Sequence, residues 1–382
     1  MDLSGFEQGP IRPPSEATSL LIRATRNCPW NRCTFCYSYH RAKFSLRTVE
    51  EIKEDIHTIK KITERIKEFS WQQGHGGQVD YSILQLIFNS HHFSDYDRSV
   101  AMWLYYGGTS VFLQDANTII MKTDQLVEVI RCLKTAFPSI ERITSYGRSK
   151  TATHKTVEEF LRLKEAGLSR IHVGMESGYD PLLDFIKKGE TASDHIEGGK
   201  RIVASGISLS EYIMPGLGGE KWTKEHAQAT ADVLNEIKPH YIRLRSLQVR
   251  ENTSLYTMMQ GGLFVPLGDE DVVRELQVLL EKLNCFDTYV VSDHILNLLE
   301  EIEGRIPDDK EKMLAVTHRF LGLSRQDKLI YRLGRRQGIY RCLDDLSHQN
   351  MYEKLKTIVE EYDKKVPGQL DKDLFKTMHG YI

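Results

Sequence analysis

Three of the six cysteines of this 382-residue chain stand in one short run, Cys28-Pro29-Trp30-Asn31-Arg32-Cys33-Thr34-Phe35-Cys36, a C-x4-C-x2-C spacing. Thiolates this close can hold three corners of a cubane iron–sulfur cluster and leave the fourth iron open to a ligand. Zinc is the rival reading: His40 extends the run to C-x4-C-x2-C-x3-H, the donor set of a closed Cys3His site. The plainest alternative is three unligated cysteines, although packing does not call for three at such spacing. Cys132, Cys285 and Cys342 are scattered and read as buried thiols filling core space. In a long chain, clustered cysteines point to a metal rather than to a disulfide framework.

The elements that must position this loop are legible around it. Ser19–Thr25 reads as a short strand running into the cysteines, and Thr48-Val49-Glu50-Glu51 reads as the capping box of a helix. Ile52, Ile56, Ile59, Ile62 and Ile66 give that helix one buried face. Strand candidates then alternate with amphipathic helices. The strands centre on Val111–Leu113, Arg142–Ser145, Ile171–Met175, Leu209–Met214 and Tyr241–Leu247; the helices include Asp124–Phe137, Thr156–Ala166 and Glu225–Ile237. Such alternation implies right-handed βαβ units and a parallel sheet. With the first strand this makes six units, fewer than the eight that close a full barrel. The expected fold is α/β, an open partial (βα)6 barrel with a helical C-terminal extension; a doubly wound sheet fits the same pattern. Residues 1–18 read as a proline-bearing arm, 19–255 as the partial barrel with an insertion at 70–106, and 256–382 as the mainly helical extension. The cysteine loop leaves the C-terminal end of the first strand, where such folds hold active sites, and that favours a cluster over a free-standing zinc finger.

Strand parity adds buried charge. If Ile242 and Leu244 pack under helices, Arg243 and Arg245 point inward and need anionic partners. If Ile171, Val173 and Met175 face outward, His172, Gly174 and Glu176 face inward. Glu176 could pair with an arginine or accept hydrogen bonds from a ligand. Tyr146 and Arg148 follow the third strand and could line the same mouth. Tyr37, Tyr39 and His40 read as loop packing, and His91-His92 as a surface pair without a third metal ligand.

Lys and Arg number 51 against 53 Asp and Glu, a net charge of −2. That balance gives no electrostatic footprint for nucleic acid or an anionic membrane. The first residues lack a basic start and an apolar stretch, so no signal peptide is read. No apolar run approaches the ~18 residues of a spanning helix. A cytoplasmic protein without membrane partners is expected.

With these residues in view, the sequence resembles the radical S-adenosylmethionine (radical SAM) superfamily over roughly residues 19–255, by the βα pattern above. An aromatic, Phe35, precedes the third cysteine, as is usual there, although the commonest spacing in the family is one residue shorter. The text C-P-x-N-R-C-T-F-C looks like a subgroup related to oxygen-independent coproporphyrinogen oxidase-like proteins. His172-Val173-Gly174-Met175-Glu176-Ser177-Gly178, followed by Lys187-Lys188-Gly189, is similar to the fourth-strand segment of the family. Ile213-Met214-Pro215-Gly216-Leu217-Gly218-Gly219-Glu220 is similar to its fifth-strand glycine motif. The second strand departs: Gly107-Gly108-Thr109 precedes the strand, and its end reads Gln114-Asp115-Ala116-Asn117.

The resemblance implies a [4Fe–4S] cluster on Cys28, Cys33 and Cys36, with SAM on the open iron. It implies reductive cleavage of SAM to a 5′-deoxyadenosyl radical that takes hydrogen from a substrate. A low-potential electron donor such as flavodoxin or ferredoxin is the implied partner. SAM contacts are expected from Phe35, Gln114, Asp115, Asn117, Ser145, Glu176, Ser177, Met214, Gly216, Arg243 and Arg245, with Asp115 and Gln114 serving the amino group. With 27 residues before Cys28 and no second clustered C-x2-C, neither a cobalamin domain nor an auxiliary cluster is expected. Two other readings stay open: a zinc- or cluster-binding protein without turnover, and an RNA-modifying enzyme.

Overall fold

The computed structural model describes residues 5–39 and 42–380. His40, the fourth donor of the zinc reading, lies outside the described residues. The chain divides into two compact units. One comprises Met1–Asn31, Ser38–Val173 and Glu197–Leu209; the other comprises Arg32–Tyr37, Gly174–Ile196 and Ser210–Ile382.

The first unit is built on four parallel strands, β1 (Leu20–Arg23), β2 (Ser110–Gln114), β3 (Arg142–Gly147) and the start of β4 (Leu168–Glu176). Its helices are α1 (Val49–Gln72), α2 (Tyr81–Asn89), α3 (Asp95–Tyr105), α4 (Thr123–Ala136) and α5 (Val157–Ala166). The capping box at the start of α1 is present, with Thr48 and Glu51 each accepting from the other's backbone. The five isoleucines of its apolar face are 0–1% exposed. Gly107 and Gly108 adopt φ of 94° and 65°, a turn into β2 that side chains would resist. The 70–106 insertion is helical, mostly α2 and α3.

The second unit holds the end of β4, most of β5 (Ser208–Ile213), β6 (Tyr241–Leu244), β7 (Thr288–Val291) and β8 (Gly304–Ile306). β5, β6 and β7 are parallel, and β8 returns antiparallel to β7. Against the six strands expected, the described residues form ten: these eight and a separate antiparallel pair, Thr25–Arg26 with Ser45–Leu46. β7 escapes the sequence pattern because it is four residues long, Thr-Tyr-Val-Val, inside a helix-rich stretch. β6 ends at Leu244, not Leu247. Helix α6 (Ala192–Ala204) starts in this unit and ends in the first. Helices α7 (Gly219–Ile237), α8 (Asp269–Lys282), α9 (Lys310–Leu321), α10 (Arg325–Arg336), α11 (Gln349–Lys365) and α12 (Gln369–Gly380) follow. α7 begins six residues before the predicted Glu225 and is kinked at Trp222. Among the described residues no helix is long and apolar enough to cross a membrane.

Candidate active site

Cys28 belongs to the first unit, Cys33 and Cys36 to the second. All three are half-buried thiols outside any disulfide. Around Cys28 the backbone is held by asparagines in left-handed conformations, Asn27 at φ 65° and Asn31 at φ 46°. Asn31 N donates to Cys28 Sγ at 3.4 Å, and its side chain donates to the carbonyls of Tyr39 and Ala42 at 2.6 and 3.2 Å. In the second unit Thr34 N donates to Ile186 O, and Leu255 N donates to Thr34 O, both at 2.9 Å. Phe35 packs on a buried apolar cluster that includes Met214. Among the described residues no three His, Cys, Asp or Glu side chains are gathered to hold a single metal ion. The donor set nonetheless suits a cluster, being three soft thiols on one short loop. The scattered cysteines correct an expectation: Cys285 is exposed, and Cys132 and Cys342 are half-buried, so none fills the core.

In the first unit, the face of the sheet carrying Arg23, Gln114, Tyr146 and His172 is covered by the N-terminal arm. The Gln114 amide accepts from Gly9 N at 2.9 Å and donates to the carbonyls of Gly9 and Ile11 at 3.1 and 2.6 Å, so the arm uses both its ends. Asp115 accepts from Arg23 Nε at 2.8 Å and Asn27 N at 3.1 Å through Oδ2. Its Oδ1 is buried without a hydrogen-bond partner, as is the Tyr39 hydroxyl. Burial first, then the negative charge of Asp115, pushes the Tyr39 phenol up. A Cβ on Gly9 would fall 2.0 Å from Asp115 Oδ1, so glycine is required where the arm crosses. Asn117 accepts from Arg148 N at 3.0 Å and donates to Thr151 Oγ1 at 2.8 Å, which ties the strand end to the loop after β3. Ser145 is buried beside Leu113 and Ile171 in the register, on the face opposite Tyr146. Glu16, fully buried, faces Arg142 at 3.1 Å and His172 at 3.5 Å.

In the second unit, Glu176 adopts φ 63° at the end of β4. Its carboxylate lies over Gly174, where a Cβ would meet Oε1 at 2.4 Å, and it pairs with Lys188 at 3.1 Å. Of the alternatives for Glu176, pairing with an arginine is not met, because its partner is a lysine. Arg243 instead donates to Ser210 Oγ at 3.2 Å and pairs with Asp293 at 2.8 Å. Arg243 aligns with Tyr212 in the register, on the strand face opposite Ile242. Arg245 is half-buried and its backbone N donates to Ile213 O. Gly216 adopts φ 85°.

Three residues that the sequence reading missed sit among these motifs. His226 of α7 joins Ser177 Oγ at 2.8 Å to the carbonyl of Met214 at 3.1 Å, so one ring ties the ends of β4 and β5 together. Glu275 of α8 accepts from Gly216 N at 2.7 Å and Thr223 Oγ1 at 2.8 Å. Glu211, in the middle of β5, is fully buried with neither carboxylate oxygen hydrogen-bonded. Burial, reinforced by Glu190 and Glu176, raises its pKa well above the usual carboxylate range, with Lys188 opposing. Glu211 was visible in sequence as a lone acid inside an apolar strand; His226 and Glu275 lie on ordinary amphipathic helices and gave no signal.

No protein-family model matches the chain. The tRNA uridine(34) acetyltransferase of Methanocaldococcus jannaschii is 28% identical over 121 residues, 31% of this chain and 22% of that protein. The tRNA-2-methylthio-N(6)-dimethylallyladenosine synthase of Syntrophus aciditrophicus is 29% identical over 203 residues, 51% of this chain and 40% of that protein. The chain thus spans less than half the length of these relatives. Among solved structures, the cobalamin-dependent S-adenosylmethionine radical enzyme OxsB aligns at a TM-score of 0.47 and 14% identity, over 95% of this chain and 59% of that one. In its cysteine loop, and in the parallel strands that carry the Glu176 and Gly216 motifs, the chain resembles the radical SAM superfamily.

Proposed function

We propose that this protein is a radical SAM enzyme whose [4Fe–4S] cluster is held by Cys28, Cys33 and Cys36. The observation that carries the reading is that all three cysteines of the short C-x4-C-x2-C run following the first strand are half-buried and outside any disulfide. When bound, the cluster supplies an electron that cleaves SAM and yields a radical able to take hydrogen from the substrate. The protein's own residues bind and orient. Asp115, buried beside the Tyr39 hydroxyl, offers the acceptor that an ammonium requires. Gln114 supports it indirectly, because its amide is committed to the arm. In the second unit Ser177, Met214 and Gly216 form the ligand-contacting loops, and Phe35 packs the cysteine loop against them. Arg243 and Glu176 have internal partners, so their contribution to SAM is secondary; Asn117 and Ser145 serve the scaffold.

Anaerobic reconstitution is expected to load about four irons and four sulfides per chain. Alanine at Cys28, Cys33 or Cys36 should abolish the brown chromophore, while alanine at Cys132, Cys285 or Cys342 should not. Zinc without sulfide, or full iron in Cys33→Ala, would contradict the ligand assignment. An RNA substrate is the second reading, favoured by the two sequence relatives, both of which are tRNA enzymes by name. A salt-dependent gel shift with tRNA tests it.

A further inference from the structure

A cleft of about 1300 Å3 opens in the second unit between the helical turns Ser254–Gln260, the start of α8, α10 and α12. It adjoins the loops that carry Cys36 and Gly216. The Arg250 guanidinium lies 3.7 Å over the Tyr37 ring, one residue past Cys36. Tyr256 and Met259 on the cleft wall pack on the apolar cluster that also takes in Phe35 and Met214. A void of about 20 Å3 beside Pro215 and Gly216 shares Asp269 and Phe375 with the cleft.

The lining carries five cations and five acids, but three of those acids are also paired from outside it, Asp371 by Arg325, Glu270 by Lys328 and Asp269 by Arg336. Arg332 pairs with Asp269 and Asp371, and Arg274 with Asp271 and Glu270. Those pairs consume every acid of the lining except Glu251. Among the described residues Arg250, Lys372 and Lys376 have no ion-pair partner. Lys372 and Lys376 stand one turn apart on α12, where like charges repel unless an anion lies between them.

We propose that this cleft is the substrate site, and that the substrate carries a carboxylate or phosphate on a flat apolar body. Arg250, Lys372 and Lys376 take the anion; Tyr256, Met259 and Phe375 take the body. The volume exceeds that of an ordinary small-ligand pocket, about 300–1,000 Å3. What is done to the substrate rests on the radical SAM reading, but its capture does not.

Calorimetry on the full-length protein with 1-naphthyl phosphate, 1-naphthoate and uncharged 1-naphthol tests this. The two anions should bind at least tenfold more tightly than naphthol. The double variant K372E/K376E should lose that advantage while its naphthol binding, iron content and SAM binding stay normal. Preference between the two anions separates phosphate from carboxylate. Equal binding of charged and uncharged probes, or an unaffected double variant, would overturn the proposal. So would a single-stranded RNA that displaces the probes at far lower concentration, which would make the cleft an RNA site. Anion binding as expected, together with failure to cleave SAM, would leave the cleft standing and sink the radical reading alone.

Discussion

The first unit pairs the carboxylates at its arm directly with cations, whereas the second leaves a buried one without a hydrogen bond. Glu7 meets Arg23, Arg26 and Arg47, Glu16 meets Arg142 and His172, and Asp115 meets Arg23. Burial pushes the Glu7 and Glu16 carboxyls up, but hydrogen bonds from Arg26 and His172 and the neighbouring positive charges hold both below the usual range. Glu211 has only burial and other carboxylates around it, offset in part by Lys188, and is pushed the other way. The first arrangement is a charged lock that fastens the arm across the sheet. The second keeps a neutral acid inside a strand. The two must fail at opposite ends of the pH scale. Acids with lowered pKa stabilise the fold above the unfolded value, near 4.5, and lose that contribution as pH falls through their lower folded values. An acid with a raised pKa does the reverse: its contribution is complete below 4.5 and is lost as pH rises through the folded value.

The largest expected effect is on the lock. Glu16→Ala strands His172 and Arg142, and should cost about 3 kcal/mol, the upper end for hydrogen bonds to a charged group, since Arg142 keeps part of its surface in water. Amide hydrogen exchange along the arm should then quicken, and an unchanged melting temperature and exchange rate would break the comparison. Next is the strut between β4 and β5. His226→Ala removes two hydrogen bonds and should cost about 2 kcal/mol, with SAM affinity falling by more than the melt alone explains. Gly9→Ala forces a methyl toward Asp115 and should cost about 1 kcal/mol, again read by thermal melting and amide exchange. The smallest effect sharpens the contrast. Glu211→Gln should be within about 0.5 kcal/mol of the parent at pH 5, yet more stable than it in alkaline buffer. A Glu211→Gln variant that loses stability at every pH would show that the carboxyl is ionised and needed.

Much of the scaffold was legible. The Thr48 capping box, the isoleucine face of α1 and the parallel strands follow from local chemistry. Partners across long sequence separations were not. Lys188 reaches Glu176 from a loop, and Asp293 reaches Arg243 from 50 residues away; neither distance has a period to read. The proline-bearing arm was recognisable as extended, but nothing in it declares that Gly9 and Ile11 lie on Gln114. Ser145 is different, because alternation from Ile143 already puts it on the helix-packed face, and the sequence reading passed over that sign.

The central claim is the chemistry at the cysteine loop. Anaerobically reconstituted, dithionite-reduced protein given SAM should release methionine and 5′-deoxyadenosine, and Cys33→Ala should release neither. Cluster-replete protein that forms no deoxyadenosine, and whose electron paramagnetic resonance spectrum does not change when SAM is added, would contradict the account.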